Sequence, residues 1–121
     1  MNEISISLLP SFVNSSNIDF LNQKFSTAIE IMPHELAGPL GINYAEALTI
    51  LMTMFQLQLC QLYFQVYHTC DPDIAVLSVP FQDGLPDLPF ECENCQEDVL
   101  TKKDLSYEIM AITTGKVTFL V

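Results

Sequence analysis

Apolar residues recur at steps of three and four in three stretches of the first half of the chain, which is the spacing of an amphipathic helix. The first predicted helix spans 18–31. The second begins at Pro33, whose missing N–H costs nothing in a first turn, and ends before Gly41, which suits a left-handed position. The third is capped by Asn43 and runs to position 55 or 56. The pattern therefore predicts three consecutive helices.

The period then changes to two, which is typical of a strand with one buried face. One face of this strand is predicted to carry alternate residues: Cys60, Leu62, Phe64, Val66, His68 and Cys70. After a turn signal at 71–73, further strands are predicted at 74–79, 105–112 and 116–121, and the last two are expected to form a hairpin. An irregular, proline-rich loop is expected over 80–90. These elements predict an α+β fold.

The segment over 34–56, HELAGPLGINYAEALTILMTMFQ, carries spaced leucines, alanines and a glycine between its two helices. The matching positions are Glu35, Leu36, Ala37, Leu40, Gly41, Ala47, Leu48 and Leu51. With these residues, 18–68 resembles a winged helix-turn-helix domain. The resemblance implies a three-helix core and a two-stranded wing, built from 57–68 and a later partner strand. It also implies either DNA binding through the third helix or, where basic residues are missing, docking to a protein.

We predict three segments. Residues 1–17 form an N-terminal arm, with a short alternating piece that either pairs at a sheet edge or stays loose. Residues 18–68 form the winged-helix-like domain. Residues 69–121 form a β tail that packs on the wing or extends it, and it ends in a zinc-stapled β-hairpin region.

The chain is strongly acidic. Fifteen Asp and Glu face four Lys and no Arg, for a net charge of −11. Nucleic-acid binders need a basic surface to displace counterions from phosphates, and an anionic membrane surface would repel this chain. Basic proteins and metal ions remain as partners. The acidity also has a simpler explanation, since it keeps an apolar small protein in solution.

The sequence favours the cytoplasm. Its start lacks the basic residues and long apolar run of a signal peptide, and no stretch has the roughly twenty apolar residues that span a bilayer. Four cysteines in a reducing compartment are more often metal ligands or buried thiols than disulfides.

Two close pairs of metal-ligating residues lie in the second half of the chain. His68 and Cys70 form an H-x-C pair, and Cys92 and Cys95 form a C-x-x-C knuckle 22 positions further on. Such pairs are typical of a closed structural zinc site, because tetrahedral Zn²⁺ takes four N or S ligands. The tail loosely resembles a zinc ribbon or zinc knuckle. We expect one zinc per chain.

Other interpretations of these residues stay open. The fourth ligand is His68, Cys60 or His34, although Cys60 also fits a buried core thiol and His34 a surface residue. The cysteines alternatively remain ordinary thiols, or Cys92 and Cys95 form a disulfide.

The sequence favours a protein without enzymatic activity. Catalytic zinc needs an open position and a nearby general base. Glu91 and Glu93 flank Cys92 but fit solvated knuckle residues better. The chain contains no nucleophile elbow, Walker loop or dinucleotide fingerprint.

The third predicted helix is apolar nearly all round, so part of it is expected to face a partner. The candidate partner-binding residues are Tyr44, Ile50, Met52 and Met54. The alternative is that the β tail covers this helix within the monomer. The leading hypothesis is a protein-interaction module, either an adaptor or a small subunit of a larger assembly. A winged-helix transcription regulator that binds DNA is the alternative, and a small metalloenzyme is the third.

We predict no measurable binding to duplex DNA at physiological salt. The third helix carries no Lys or Arg, and Glu46 would repel phosphates. A mobility-shift titration over a series of salt concentrations measures this. A shift at micromolar protein that weakens as salt is added would contradict the prediction and favour the regulator hypothesis.

Overall fold

A computed structural model of the chain describes residues 2–121 and has a mixed α+β fold with three α-helices and several sheets. Its residues form two compact units. Unit 1 contains the residues up to Gln61 together with Ala111–Val121, and unit 2 is Leu62–Met110. The three predicted segments have different bounds and stay a prediction. No helix within 2–121 is long and apolar enough to cross a membrane.

Unit 1 holds all three helices: α1 Ile18–Lys24, α2 Pro33–Leu40 and α3 Tyr44–Gln56. It also holds three short strands: β1 Glu3–Ser5, β2 Glu30–Ile31 and β8 Thr118–Leu120. The strands that lie wholly or mostly in unit 2 are β3 Gln61–His68, β4 Asp71–Pro80, β5 Phe90–Glu91, β6 Asp98–Val99 and β7 Leu105–Ile112.

The predicted ends of α2 and α3 are confirmed. Gly41 follows α2 in the left-handed conformation, at φ 66°. At the start of α3, the Glu46 N–H donates to Asn43 Oδ1 at 2.8 Å, and the Asn43 N–H donates to Glu46 Oε1 at 3.0 Å. This reciprocal capping satisfies two N–H groups that a helix start would otherwise leave without partners. Local sequence therefore sets these boundaries.

The first helix is shorter than predicted, because the segment after Lys24 bonds to the C-terminal part of unit 1. The Phe25 carbonyl accepts from the Val117 N–H, and the Ile29 carbonyl accepts from the Thr113 N–H, both at 2.9 Å. Residues Glu30 and Ile31 then pair with the end of β7 as β2. These bonds replace the second half of the predicted helix.

The predicted hairpin between the last two strands is wrong. Strand β8 pairs in parallel with β1, and Ile4 lies opposite Phe119. The Asn22 side chain also bonds to the β8 backbone. Its Nδ2 donates to the Phe119 carbonyl at 3.1 Å, and its Oδ1 accepts from the Phe119 N–H at 2.7 Å. These contacts draw the C-terminal strand to α1 and β1, and the Phe119 ring packs against Phe25.

Burial on α3 corrects the predicted partner-binding face. Ile50 and Met54 are fully buried, with Leu51 between them, so both side chains lie in the core of unit 1 and not on a surface. Met52 is half-buried, and Tyr44 keeps 48% of its surface exposed. Helix α3 contains more apolar residues than one narrow buried stripe needs, because the face that it turns to the core is wide. Ala47, Ile50, Leu51 and Met54 all point into that core.

Unit 2 is built from hairpins. Strands β3 and β4 are antiparallel, with Val66 opposite Leu77 and His68 opposite Asp71, and β3 also lies next to β7. Strands β5 and β6 form a second, very short hairpin. The buried residues at its centre are Val66, Val76, Cys92 and Val99. The predicted alternation along β3 is confirmed at Leu62, Val66 and His68, which are buried.

We expect Ile50→Asp to lower the free energy of unfolding by more than about 4 kcal/mol, because it places an unpaired charge in a packed core. Chemical denaturation measures the loss. Tyr44→Asp is the control, since it adds the same charge to the same helix at an exposed first-turn position and should change stability by no more than about 0.5 kcal/mol. An Ile50→Asp protein that stayed folded but no longer bound its partner would instead support the predicted partner-binding face.

Candidate metal centre

Four potential ligand atoms converge in unit 2. They come from His68, Cys70, Cys92 and Cys95, and all lie within 4.8 Å of one another. The Cys70 and Cys92 Sγ atoms are 3.7 Å apart, and Cys95 Sγ is 3.5 Å from His68 Nδ1. All cysteines are free thiols, and 3.7 Å is far longer than the about 2.05 Å of a disulfide. The four side chains thus form a group that can hold a metal ion.

The β3–β4 hairpin supplies the first two potential ligands. His68 is the last residue of β3 and is buried, while Cys70 lies in the tight turn that leads into β4 and is exposed. The Thr69 N–H donates to the Asp104 carbonyl at 3.0 Å, which fixes this turn. The sequence predicted the turn later, at 71–73, and placed Cys70 on the strand. The earlier turn brings Cys70 to the same site.

The β5–β6 hairpin supplies the other two potential ligands. Within its turn, the Cys92 N–H donates to the Glu97 carbonyl at 2.9 Å, and the Gln96 N–H donates to the Cys92 carbonyl at 2.7 Å. Gln96 has φ 65°, a left-handed conformation that glycine adopts at lower cost. This tight loop holds the Cys92 and Cys95 thiols next to the first pair.

Backbone N–H groups polarise the Cys92 thiol. Burial opposes its ionisation, but hydrogen bonds from the backbone of Cys95 and Asn94, and contacts with the Cys95 and Cys70 thiols, outweigh burial and lower the Cys92 pKa to about 7. Cys95 behaves in the opposite way. A hydrogen bond from the Glu97 backbone favours its thiolate, yet burial and the two neighbouring thiols together raise its pKa. Three neighbouring thiolates repel one another, so holding all three is unfavourable without a cation.

One residue of the centre was missed by the sequence reasoning. Asn94 lies between the two knuckle cysteines, and its Nδ2 donates to Cys70 Sγ at 3.5 Å, so it bonds to the opposite hairpin. Such a donor delocalises charge from a ligating sulfur and orients it. The only signal in the sequence was an amide side chain inside a C-x-x-C motif, which is also common in ordinary turns.

The two alternative fourth ligands lie elsewhere. Within residues 2–121, the group of potential metal ligands includes neither Cys60 nor His34. Cys60 is buried in unit 1 and donates to the Leu51 carbonyl at 3.7 Å, while His34 is exposed on α2. Burial raises the pKa of the Cys60 thiol to about 11. Cys60 is therefore a protonated core thiol, which agrees with the simpler of its two interpretations.

Comparison with protein families, with curated proteins and with solved structures gives no match to this chain. The geometry of the centre therefore carries the functional argument alone.

We expect Cys60 to make stability depend on pH in the alkaline range. Its folded pKa of about 11 lies above the value near 8.5 of an unfolded cysteine. The folded state thus keeps the proton longer, and the stability this gives is complete below about pH 8.5 and lost as pH rises towards about 11. The difference in unfolding free energy between the wild type and Cys60→Ala should shrink across that window.

Ile50→Val is the control for this measurement. It also trims a buried side chain of unit 1 but removes no titratable group, so its difference from the wild type should not change with pH. A Cys60→Ala difference that stayed equally constant in urea titrations at pH 8 and pH 11 would contradict the prediction.

Proposed function

We propose that this chain is a non-enzymatic protein-interaction module with one structural zinc ion, held by His68, Cys70, Cys92 and Cys95. It acts in the cytoplasm as an adaptor or as a small subunit of a larger assembly. Its partner is another protein or a second copy of the chain, and not nucleic acid.

The spacing of the ligand atoms is the observation that carries the zinc proposal. Zn–S bonds of about 2.3 Å and Zn–N bonds of about 2.05 Å at tetrahedral angles put two sulfurs about 3.8 Å apart, and a sulfur and a nitrogen about 3.6 Å apart. The measured separations are 3.7 Å for Cys70 and Cys92, and 3.5 Å for Cys95 and His68. Three thiolates and one imidazole also match the softness of Zn²⁺, and His68 would bind through Nδ1.

A structural role agrees with the small core of unit 2. Of its 49 residues, only seven are buried: Leu62, Val66, His68, Val76, Cys92, Val99 and Met110. Domains of this size commonly add a metal or disulfides to their limited apolar burial. A metal here would join the β3–β4 hairpin to the β5–β6 hairpin. Four protein ligands leave no open coordination position for a substrate, which supports a non-enzymatic role.

The winged-helix interpretation is supported by the order of the elements along the chain. Helix α1 is followed by β2, α2 and α3, and then by the antiparallel strands β3 and β4. Glu46 is the one charged side chain of α3 and lies in its first turn, so the helix carries no basic residue and the rest of its exposed side is uncharged. Tyr44 and Met52 remain there as the candidate contact residues. A partly apolar helix face without basic residues suits a protein partner better than a phosphate backbone.

Purified protein is expected to contain one zinc per chain, measured by elemental analysis against protein concentration. Cys92→Ser should lose the ion because it removes a buried ligand. Structural zinc contributes roughly 10–16 kcal/mol of apparent binding free energy in small peptides, so a chelator should loosen unit 2 while the α1–α3 helices persist. Amide exchange, measured with and without chelator, locates the change.

Cys60→Ala is the matched control, since it removes a cysteine outside the group and should retain a full equivalent of zinc. Wild-type protein with intact thiols but no stoichiometric zinc would refute the proposal. Equal zinc loss in both variants would assign the metal to a different site.

A further inference from the structure

We infer that Cys70 is a site of oxidative modification, at which a peroxide converts the Cys70–Cys92 pair to a disulfide and releases the metal. This inference rests on the proposed zinc site and adds a mode of regulation to it. The two hairpins of unit 2 would then be joined by zinc in the reduced protein and by a sulfur–sulfur bond in the oxidised one.

The three ligand thiols differ in how far an oxidant can reach them. Cys70 lies in the β3–β4 turn and is exposed, Cys95 is half-buried, and Cys92 is fully buried in the apolar cluster of unit 2. Oxidation follows thiolate character and exposure. Zinc ligation keeps all three sulfurs as thiolates, so exposure decides among them, and Cys70 is attacked first.

A second thiol is already in place to resolve the oxidised one. Cys92 Sγ is 3.7 Å from Cys70 Sγ, close enough to form a bond after a movement of less than about 2 Å. Cys92 is held inside the knuckle by the bonds from its backbone to Glu97 and Gln96, and its Sγ faces the Cys70 Sγ of the other hairpin. The disulfide therefore links the two hairpins, and Cys92 does not pair within the knuckle.

The chemistry balances with hydrogen peroxide as the two-electron oxidant. The Cys70 thiolate attacks one peroxide oxygen, the O–O bond breaks, and hydroxide leaves, so that Cys70 becomes a sulfenic acid. The Cys92 thiolate then attacks the Cys70 sulfur and expels a second hydroxide as the S–S bond forms. The two sulfurs lose two electrons and the peroxide gains them. The zinc loses two of its four ligands and dissociates.

Cys60 lies outside the group of four, so Cys60→Ala keeps the reactive pair intact. It is buried, and its thiol stays protonated at neutral pH because burial raises its pKa to about 11. The reaction should therefore leave Cys60 reduced while the ligand cysteines oxidise.

The test uses zinc-loaded Cys60→Ala protein, treated with hydrogen peroxide while a zinc indicator reports release. Remaining thiols are then alkylated, and the protein is cut without reduction by a protease that cleaves after glutamate. Cleavage after Glu46, Glu91, Glu93 and Glu97 places Cys70, Cys92 and Cys95 on separate peptides. Mass spectrometry then reads the linkage directly. We expect zinc release together with a bond between peptides 47–91 and 92–93, and rebinding of zinc after reduction.

Two matched substitutions test whether the Cys70 sulfur or the Cys95 sulfur is needed for peroxide-driven zinc release. Cys70→His and Cys95→His each leave two cysteines and two histidines, a ligand set that zinc also accepts. Cys70→His should slow peroxide-driven zinc release by about tenfold or more, because an imidazole cannot be oxidised as a thiolate can. Cys95→His keeps both members of the reactive pair and should release zinc at nearly the wild-type rate. If either variant fails to hold zinc, the disulfide linkage seen in the peptide map tests the inference instead.

The outcomes separate the inference from the zinc proposal. Zinc content before oxidation tests the proposed function, and protein without zinc would overturn both. Zinc that is present but stays bound under peroxide would overturn the inference alone. So would a disulfide between Cys92 and Cys95, or equal slowing of release in the two histidine variants.

Discussion

The main constraint on unit 2 is that four potential metal-ligand atoms from two separate hairpins meet at one point. Each hairpin alone buries little. The β5–β6 pair has two residues in each strand, and the end of the β3–β4 pair contains irregular register. Their meeting point is where Cys92 enters the apolar cluster beside Val66 and Val76. This packing fixes the position of the Cys92 sulfur. The backbone of the C-x-x-C knuckle then sets the direction of the Cys95 side chain.

Electrostatics explain why this arrangement suits a cation. Ten Asp and Glu and only two Lys lie between residues 62 and 110, so unit 2 carries a net charge of −8 of the total −11. Adding two or three thiolates to this acidic unit without a counter-charge is unfavourable, since neighbouring thiols already raise the pKa of Cys95. A divalent ion reverses that balance. The backbone N–H groups and the Asn94 amide offset charge on the sulfurs but supply no full positive charge.

Unit 1 is held together in a different way, by apolar packing and by hydrogen bonds between distant segments. Phe25 and Phe119 pack with ring centroids 5.4 Å apart, and Asn22 makes two hydrogen bonds to the backbone of Phe119. The wide buried face of α3 completes this core. The larger apolar core therefore lies in unit 1, outside the group of four potential ligands.

The sequence by itself determined the features that depend on neighbouring residues. The ends of α2 and α3, the buried face of β3 and the two ligand pairs all follow from side chains a few positions apart. Only the tertiary structure decided the rest. Whether 25–31 continued a helix depended on carbonyls that bond to Thr113 and Val117, and whether β8 paired with β7 depended on Asn22 and β1. That His68 lies beside the three cysteines while Cys60 and His34 do not, and that Asn94 bonds to Cys70, likewise depended on where two hairpins meet. Such long-range contacts are set by the packing of whole elements, which local periodicity does not record.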